Sequence, residues 1–411
     1  MIKALTNLAR KALGREGSVS MQDMNGKPVL LGGGLSDADE VVTEASSMAL
    51  SAVWACTNLI AGTISTLPVS PYRNDGTSKE RLGDHPLRAI LQESPNYDQT
   101  PVDFIEFIGH SIELWGNAYA RVIRSDAGRV VALVPVAPQL MSVRRLQNGS
   151  IEYTWTDEGK RYRETDQTML HIRGPGGHPL GGWSTLHYAR NAFGLARASD
   201  RAAGKMFANG MRPSVAISFE TFLTTEQREI AETIMVDRHL GAMNSGRPVL
   251  LEGNGKLEPI TINPDDAQML ESRKFSVEEI CRFFGVPPHM VGHTSGQTSW
   301  GSGLEQQTLG FQKFTLRRRI RRIEQAMNKQ LLTPAERAQN IFIEFNLEGL
   351  LRADSGARAS YYREMSQIGA MTINEIRALE NLPPVAGGDV PRVQMQNQPI
   401  TQTAETEETT P

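Results

Sequence analysis

Cysteine is almost missing from this chain: Cys56 and Cys281 are the only two among 411 residues. They lie far apart, among apolar neighbours, in no ligand-like spacing. A disulfide scaffold and a Cys-x-x-Cys metal or redox motif are therefore excluded, and the two read as buried structural thiols of a protein in a reducing compartment. Long apolar runs are missing as well. No stretch approaches the roughly 20 residues that cross a bilayer, so no membrane partner is expected. Residues 1–15 carry Lys3, Arg10, Lys11 and Arg15 but lack the apolar core of a signal peptide, and read as a tail. Positive charge is not in excess either. A formal net charge of −3 rules out a protein that grips nucleic acid by bulk electrostatics, so any contact with DNA should be local or weak.

The familiar chemical signatures are also lacking. There is no Walker motif, no His-Glu-x-x-His and no Gly-x-Ser-x-Gly elbow. Eight histidines are scattered, and no two share a helix face at metal-ligand spacing. The sequence thus offers no catalytic, cofactor-binding or metal-ligating residues, although its 39 % hydrophobic and 22 % charged content is ordinary for a globular protein. A structural or assembly role leads. A rival is a nuclease whose carboxylates converge only on folding and act with Mg²⁺.

What is present is an ordered series of start and stop signals. Residues 16–44 are rich in Gly, Ser and Asp, and order is expected from Ser46. Met48, Val53, Leu59, Ile60 and Ile64 have helical spacing that ends before Pro68; a strand over 69–73 follows. Thr100, Pro101 and Asp103 open a helix whose apolar stripe stops at Gly116. Alternating segments at 118–124, 130–136, 141–146, 151–155 and 169–172 predict an antiparallel sheet in an α+β domain. The glycine-rich 174–183 is a loop; no Lys-Ser or Lys-Thr follows to make it a phosphate cradle. A long helix is expected over 184–209 with Gly210 as terminator.

Residues 212–262 read as an α/β insert with a strand at 215–219, a helix opened at Thr224, and a hairpin of 249–252 with 257–262. Asp265 and Asp266 are read as helix caps rather than metal carboxylates. Ser276-Val277-Glu278-Glu279 is a capping box that restarts a helix ending before Pro287-Pro288. A loop without charged side chains follows, then a long helix over about 304–331. Its packing face takes Leu316, Ile320 and Ile323 and leaves Arg317, Arg318, Arg319, Arg321 and Arg322 as a collar. Those arginines solvate the helix or pair with a neighbouring subunit, or else they contact phosphate. Capping boxes at Thr333 and Thr372 open two further helices. The end of the chain is polar and poor in apolar residues, as disordered tails are.

These elements, in this order, resemble the portal proteins of tailed phages, of the HK97-like type also found in prophages and gene transfer agents. The resemblance is carried by Ser51-Ala52-Val53-Trp54-Ala55-Cys56 with Leu67-Pro68, by Gly116-Asn117-Ala118-Tyr119, and by Phe207-Ala208-Asn209-Gly210. It continues through Ile280-Cys281-Arg282-Phe283-Phe284-Gly285-Val286-Pro287-Pro288, Leu350-Leu351-Arg352-Ala353-Asp354, and 369–377 before Gly387-Gly388-Asp389. It implies an elongated α+β subunit that assembles into a ring; the alternative is another virion connector or head-completion structural protein. The parts would be a flexible arm (1–45), the wing (46–183), a stem helix (184–211), the clip (212–263), a second stem helix (264–291) and a tunnel loop (292–303). A long helix with a wing return strand (304–351), the crown (352–388) and a disordered tail (389–411) would follow.

The resemblance further implies a homo-oligomer of about twelve subunits at the capsid vertex of a virion, assembled in the host cytoplasm. Its channel would pass double-stranded DNA non-specifically during packaging and ejection. Its other partners would be the terminase large subunit, a head-completion adaptor and the major capsid or scaffold protein, with no cofactor. His293, Thr294, Ser295, Gln297, Thr298, Ser299, Trp300 and Ser302 would then line the narrowest part of the channel. A neutral Gly/Ser/Thr/Gln collar suits a conduit, since strong phosphate contacts would stall sliding DNA.

Overall fold

In the computed structural model the described residues are 20–22, 28–30, 33–76, 79–176, 178–208, 215–218, 224–226, 256–259, 265–293, 302–347, 355–380 and 382–391. They fall in two compact units, residues 1–344 and 345–411. The fold is α+β with several small sheets, as expected.

Short strands β1 (Ser20–Gln22), β2 (Pro28–Leu30), β3 (Gly34–Leu35) and β4 (Val41–Val42) precede helices α1 (Glu44–Met48) and α2 (Ser51–Ser65). Ordered structure therefore starts earlier than the Ser46 boundary implies, and the 1–45 arm is corrected at its C-terminal end. The reason is a set of long-range polar contacts that local sequence cannot reveal. Glu40 is buried beside Arg201 (2.7 Å) and Arg197 (3.5 Å), and the Asn191 amide donates to Asp37 at 2.6 Å. Gly194 lets this segment lie close: a Cβ there would stand 2.1 Å from Ser36 Oγ.

Strands β5 (Val69–Asn74) and β6 (Lys79–Arg81) lead to helices α3 (Pro86–Gln92) and α4 (Pro101–Trp115). Helix α4 begins and ends where its signals lie. Thr100 accepts from the Asp103 N–H while the Asp103 side chain accepts from the Thr100 N–H, Pro101 fills the first turn, and Gly116 closes the helix at φ 69°. Helix α2 packs against α4 at Ala61 and Gly109, where a Cβ on Gly109 would come within 2.8 Å of Ala61 Cβ.

Six strands follow: β7 (Asn117–Arg124), β8 (Val130–Val136), β9 (Ser142–Arg145), β10 (Ile151–Asp157), β11 (Lys160–Thr165) and β12 (Met169–Arg173). They divide between a sheet ordered β12-β7-β8 and one ordered β11-β10-β9-β1-β2. All their pairings are antiparallel except that of β1 with β9.

The expected helix over 184–209 is broken at Ala189 into α5 (Thr185–Tyr188) and α6 (Arg190–Ala208). Ser184 caps α5 and also donates to the Leu114 carbonyl at 3.0 Å, which ties this turn to the end of α4. Gly210 lies outside the described residues. Within 212–262, β13 (Val215–Ser218) pairs antiparallel with β14 (Lys256–Pro259). The strand expected at 257–262 thus takes a non-local partner; 249–252 and most of the expected helix lie outside the described residues. Helix α7 (Asp265–Phe284) runs unbroken through Ser276, so the expected restart there is corrected. No Gly or Pro interrupts residues 265–284, and Ser276 is buried mid-helix rather than at a terminus.

The expected long helix is α8 (Ser302–Gly310), a π-helical stretch (Phe311–Leu316) and α9 (Arg317–Gln330) in succession. Helix α10 (Pro334–Ala338) starts at the Thr333 capping box, and β15 (Ile341–Phe345) joins the sheet β15-β5-β6. In the second unit, α11 (Ser355–Gln367) precedes α12 (Ile373–Leu379), which the Thr372 capping box opens. Asn374 explains the Gly387-Gly388-Asp389 motif. Its amide donates to the Val385 carbonyl and to Asp389, and its oxygen accepts from the Val385 N–H. A Cβ on Gly388 would stand 2.4 Å from that oxygen.

The Gly116-Asn117-Ala118-Tyr119 motif has a comparable physical basis. Fully buried Asn117 donates to the carbonyls of Trp115 (3.1 Å) and Gly182 (3.2 Å) and accepts from the Gly182 N–H (2.8 Å). Its oxygen also lies 3.0 Å from His171 Nε2, while Tyr153 lies 3.1 Å from His171 Nδ1. Burial, with Arg173 nearby, holds the His171 pKa well below its ordinary value. The ring is therefore neutral: Nε2–H donates to Asn117 and Nδ1 accepts from the Tyr153 hydroxyl. Gly116, Gly174 and Gly182 crowd around this point, and a Cβ on Gly116 would meet the Trp183 carbonyl at 2.0 Å. Replacing Asn117 with Ala strands several buried partners, and a loss of about 3 kcal/mol is expected. A lower denaturation midpoint with β7 and β12 unfolding first, read by hydrogen exchange, is the check.

Candidate functional site

The expected tunnel loop is bounded by two rigid elements. Its leading edge begins where α7 stops. Gly285 takes φ 67°, the Val286 N–H donates to the Cys281 carbonyl at 3.0 Å, and Pro287-Pro288 prevents continuation. A 3₁₀ turn (Pro288–Val291) ends at Gly292 with φ 80°, and the His293 N–H returns to the Pro288 carbonyl. His293 Nε2 sits 3.6 Å from Glu278. Thr294, Ser295, Gln297, Thr298, Ser299 and Trp300 lie outside the described residues. Ser302 is the first residue of α8.

The trailing side is fastened to the leading side just past α8. Thr315, in the π-helical stretch, donates to the Gly285 carbonyl at 2.8 Å. Arg319 donates to the Phe284 carbonyl at 2.9 Å and to the Thr315 carbonyl at 3.2 Å. It also makes a two-pronged pair with Glu113 of α4, at 2.6 and 2.7 Å, where the carboxylate side chain is 5 % exposed and the guanidinium 18 %. Glu113, Arg319, Thr315 and the end of α7 therefore form one polar junction in an apolar setting. A π-helix widens the turn by one residue and is a common mark of a functional position in a helix. An open cavity of about 420 Å³ lies beside the junction, walled by Cys281, Arg282, Pro287, Pro288, Gln307 and Phe311 among others.

The five arginines of the collar separate into distinct roles. Arg319 is turned inward onto Glu113, and Arg322 donates to the Gly174 carbonyl at 2.9 Å. Arg321 pairs with Glu324 at 3.1 Å, and Arg318 donates to the Phe314 carbonyl. Arg317 is exposed and has no ion-pair partner among the described residues. Sequence reasoning missed the in-chain role of Arg319. A signal for it existed: Glu113 stands between Ile112 and Leu114-Trp115, where an ionised side chain needs a partner. Among the described residues no three His, Cys, Asp or Glu gather as a metal site. No helix of the described residues is long and apolar enough to cross a membrane.

Comparison with known proteins decides the family. A sequence model of the phage portal protein family matches residues 51–381, well over half of the chain. The chain belongs to the phage portal protein family. It is 36 % identical over 377 residues to the portal protein of Enterobacteria phage HK97, covering 91 % of this chain and 88 % of that one. The fold is similar to a chain in the neck of an empty gene transfer agent particle solved with C6 symmetry. There the TM-score is 0.62 and the identity 24 %, with 92 % of this chain and all of that one covered. An HK97-family phage portal protein from Corynebacterium diphtheriae aligns with TM-score 0.55 and 18 % identity, covering 77 % of this chain and 99 % of that one. As a member of the portal family, the chain is a structural component of the virion at the capsid vertex.

The polar junction makes a quantitative demand on this portal chain. Removing one member of a buried ion pair leaves the other charge stranded, at a cost of about 3 kcal/mol or more, whereas removing both costs less. Arg319→Met and Glu113→Leu should each destabilise by that order, and the double variant by less than their sum. Denaturant unfolding of the four proteins in a double-mutant cycle measures the coupling.

Proposed function

We propose that twelve copies of this chain close a ring at the unique capsid vertex. In this reading, residues 292–303 of each copy line the narrowest part of a channel through which double-stranded DNA is packaged and ejected. The observation that carries it is the polar junction. Thr315 and Arg319 hold the carbonyls of Gly285 and Phe284, so the segment that leaves α7 and the helix that receives it share a fixed base. A loop on a rigid base can move against passing DNA without loosening the subunit. The composition of 294–303, without a charged side chain, suits contact that does not arrest sliding.

The chain acts without catalysis of its own, and ATP hydrolysis is left to the terminase large subunit. That partner and a head-completion adaptor dock on the clip, residues 212–263, while the major capsid or scaffold protein meets the ring during assembly in the host cytoplasm. Arg317 and Arg318 reach phosphate or a neighbouring copy; Arg319 and Arg322 are already engaged within the chain.

A photo-crosslinking residue placed at Trp300 tests this in packaged particles. Crosslinks to DNA spread over all sequences are expected. Crosslinks confined to protein, with packaging intact, contradict the assignment of the loop to the channel wall.

A further inference from the structure

The chain's only two cysteines meet across a helix seam. Cys56 on α2 and Cys281 on α7 are 225 residues apart in sequence, yet their Sγ atoms lie 3.8 Å from one another and both side chains are fully buried. Both are free thiols. A disulfide has an S–S length of about 2.05 Å, so the sulfurs stand about 1.8 Å short of bonding. Helices α2 and α7 already pack here, with Val53 and Ile60 on one side and Ile280 and Phe284 on the other, all buried. Cys281 also borders the 420 Å³ cavity beside the polar junction; with the residue 1 % exposed, a small oxidant reaches its sulfur from there when that wall opens.

We propose that Cys56 and Cys281 form an oxidation site, in which a hydroperoxide converts the two thiols into a disulfide tying α2 to α7. The hydrogen bond between the thiols lowers the pKa of Cys281 and raises that of Cys56, and burial raises Cys56 further. Cys281 is also the one of the two that borders the cavity, which makes it the attacking sulfur. Its thiolate takes the terminal peroxide oxygen, the O–O bond breaks, and the leaving oxygen takes up the proton Cys281 gave up and departs as water or an alcohol. Cys281 is then a sulfenic acid. The Cys56 sulfur attacks that sulfur, the S–O bond breaks, and the hydroxyl leaves as water with the Cys56 proton. Two electrons pass from the thiols to the peroxide. Where glutathione keeps thiols reduced the pair stays open, and it closes once the protein meets an oxidant. The bond would fasten the helix that ends at the loop base to the body of the subunit.

The test uses the full-length protein treated with hydrogen peroxide, quenched, and examined by intact mass, thiol titration in denaturant and peptide mapping. The mass should fall by about 2 Da for two hydrogens lost, no thiol should remain, and the map should join Cys56 to Cys281 within one chain. The oxidised protein should also melt several degrees higher than the reduced one, and a reductant should reverse the shift. In Cys56→Ala, Cys281 should stop as a sulfenic acid that dimedone labels. In Cys281→Ala, Cys56 should stay unlabelled, and labelling there would overturn the order of attack. The wild-type measurement stands whether or not these variants fold. Survival of both thiols, oxygen adducts without a crosslink, or disulfides between chains would overturn the proposal.

Discussion

The buried pair of Arg319 and Glu113 is the constraint on which the arrangement around the loop depends. A carboxylate in the apolar face of α4 is tolerated only with a charged, hydrogen-bonded partner. Arg319 meets that demand from 206 positions away in sequence. Its remaining donors take up the Phe284 and Thr315 carbonyls, so one guanidinium fixes α4, the end of α7 and the π-helical stretch together. A lysine could not do this, because it lacks the planar fork that reaches two oxygens of the carboxylate and a separate carbonyl at once. Thr315 and Arg319 are four residues apart and so share one face of the helix, from which both reach the end of α7.

This arrangement suits a portal. In the proposed reading, a loop that lines the channel has to yield to DNA, while the helices beside it have to keep their place under load. Polar anchors at both ends of the loop separate these requirements. The seam between α2 and α7, where Cys56 and Cys281 face one another, lies on the same helix that ends at the junction. Farther out, Asn117 joins the end of α4 to the glycine-rich turn before α5, and Arg322 reaches that turn from α9 through the Gly174 carbonyl.

Signals that act within a few residues were readable from the sequence. Thr100 with Gly116 bounds α4, and the capping boxes at Thr333 and Thr372 open α10 and α12. The order of motifs was enough to suggest the family. The Ser276 capping box is instructive in the other direction: its Ser-x-x-Glu pattern also fits a helix interior, and α7 simply continues through it. What could not be read is non-local. The partner of Lys256–Pro259 lies some 40 residues earlier, Arg197 and Arg201 hold Glu40 from beyond all the strands β5–β12 in sequence, and Arg319 finds Glu113 instead of phosphate. Periodicity assigned Arg319 to the solvated face of the helix because Leu316, Ile320 and Ile323 fill the apolar stripe. The inward turn becomes visible only when Glu113 is seen to need a counter-charge.

The most direct measurement of this account is an electron-microscopic reconstruction of the assembled protein, carried to side-chain detail. The account predicts a twelvefold ring whose channel is narrowest at residues 292–303, with Arg319 seated on Glu113 in every copy. A ring whose constriction is formed by other residues, or one in which Arg319 leaves Glu113 to face the channel or a neighbouring subunit, would contradict it.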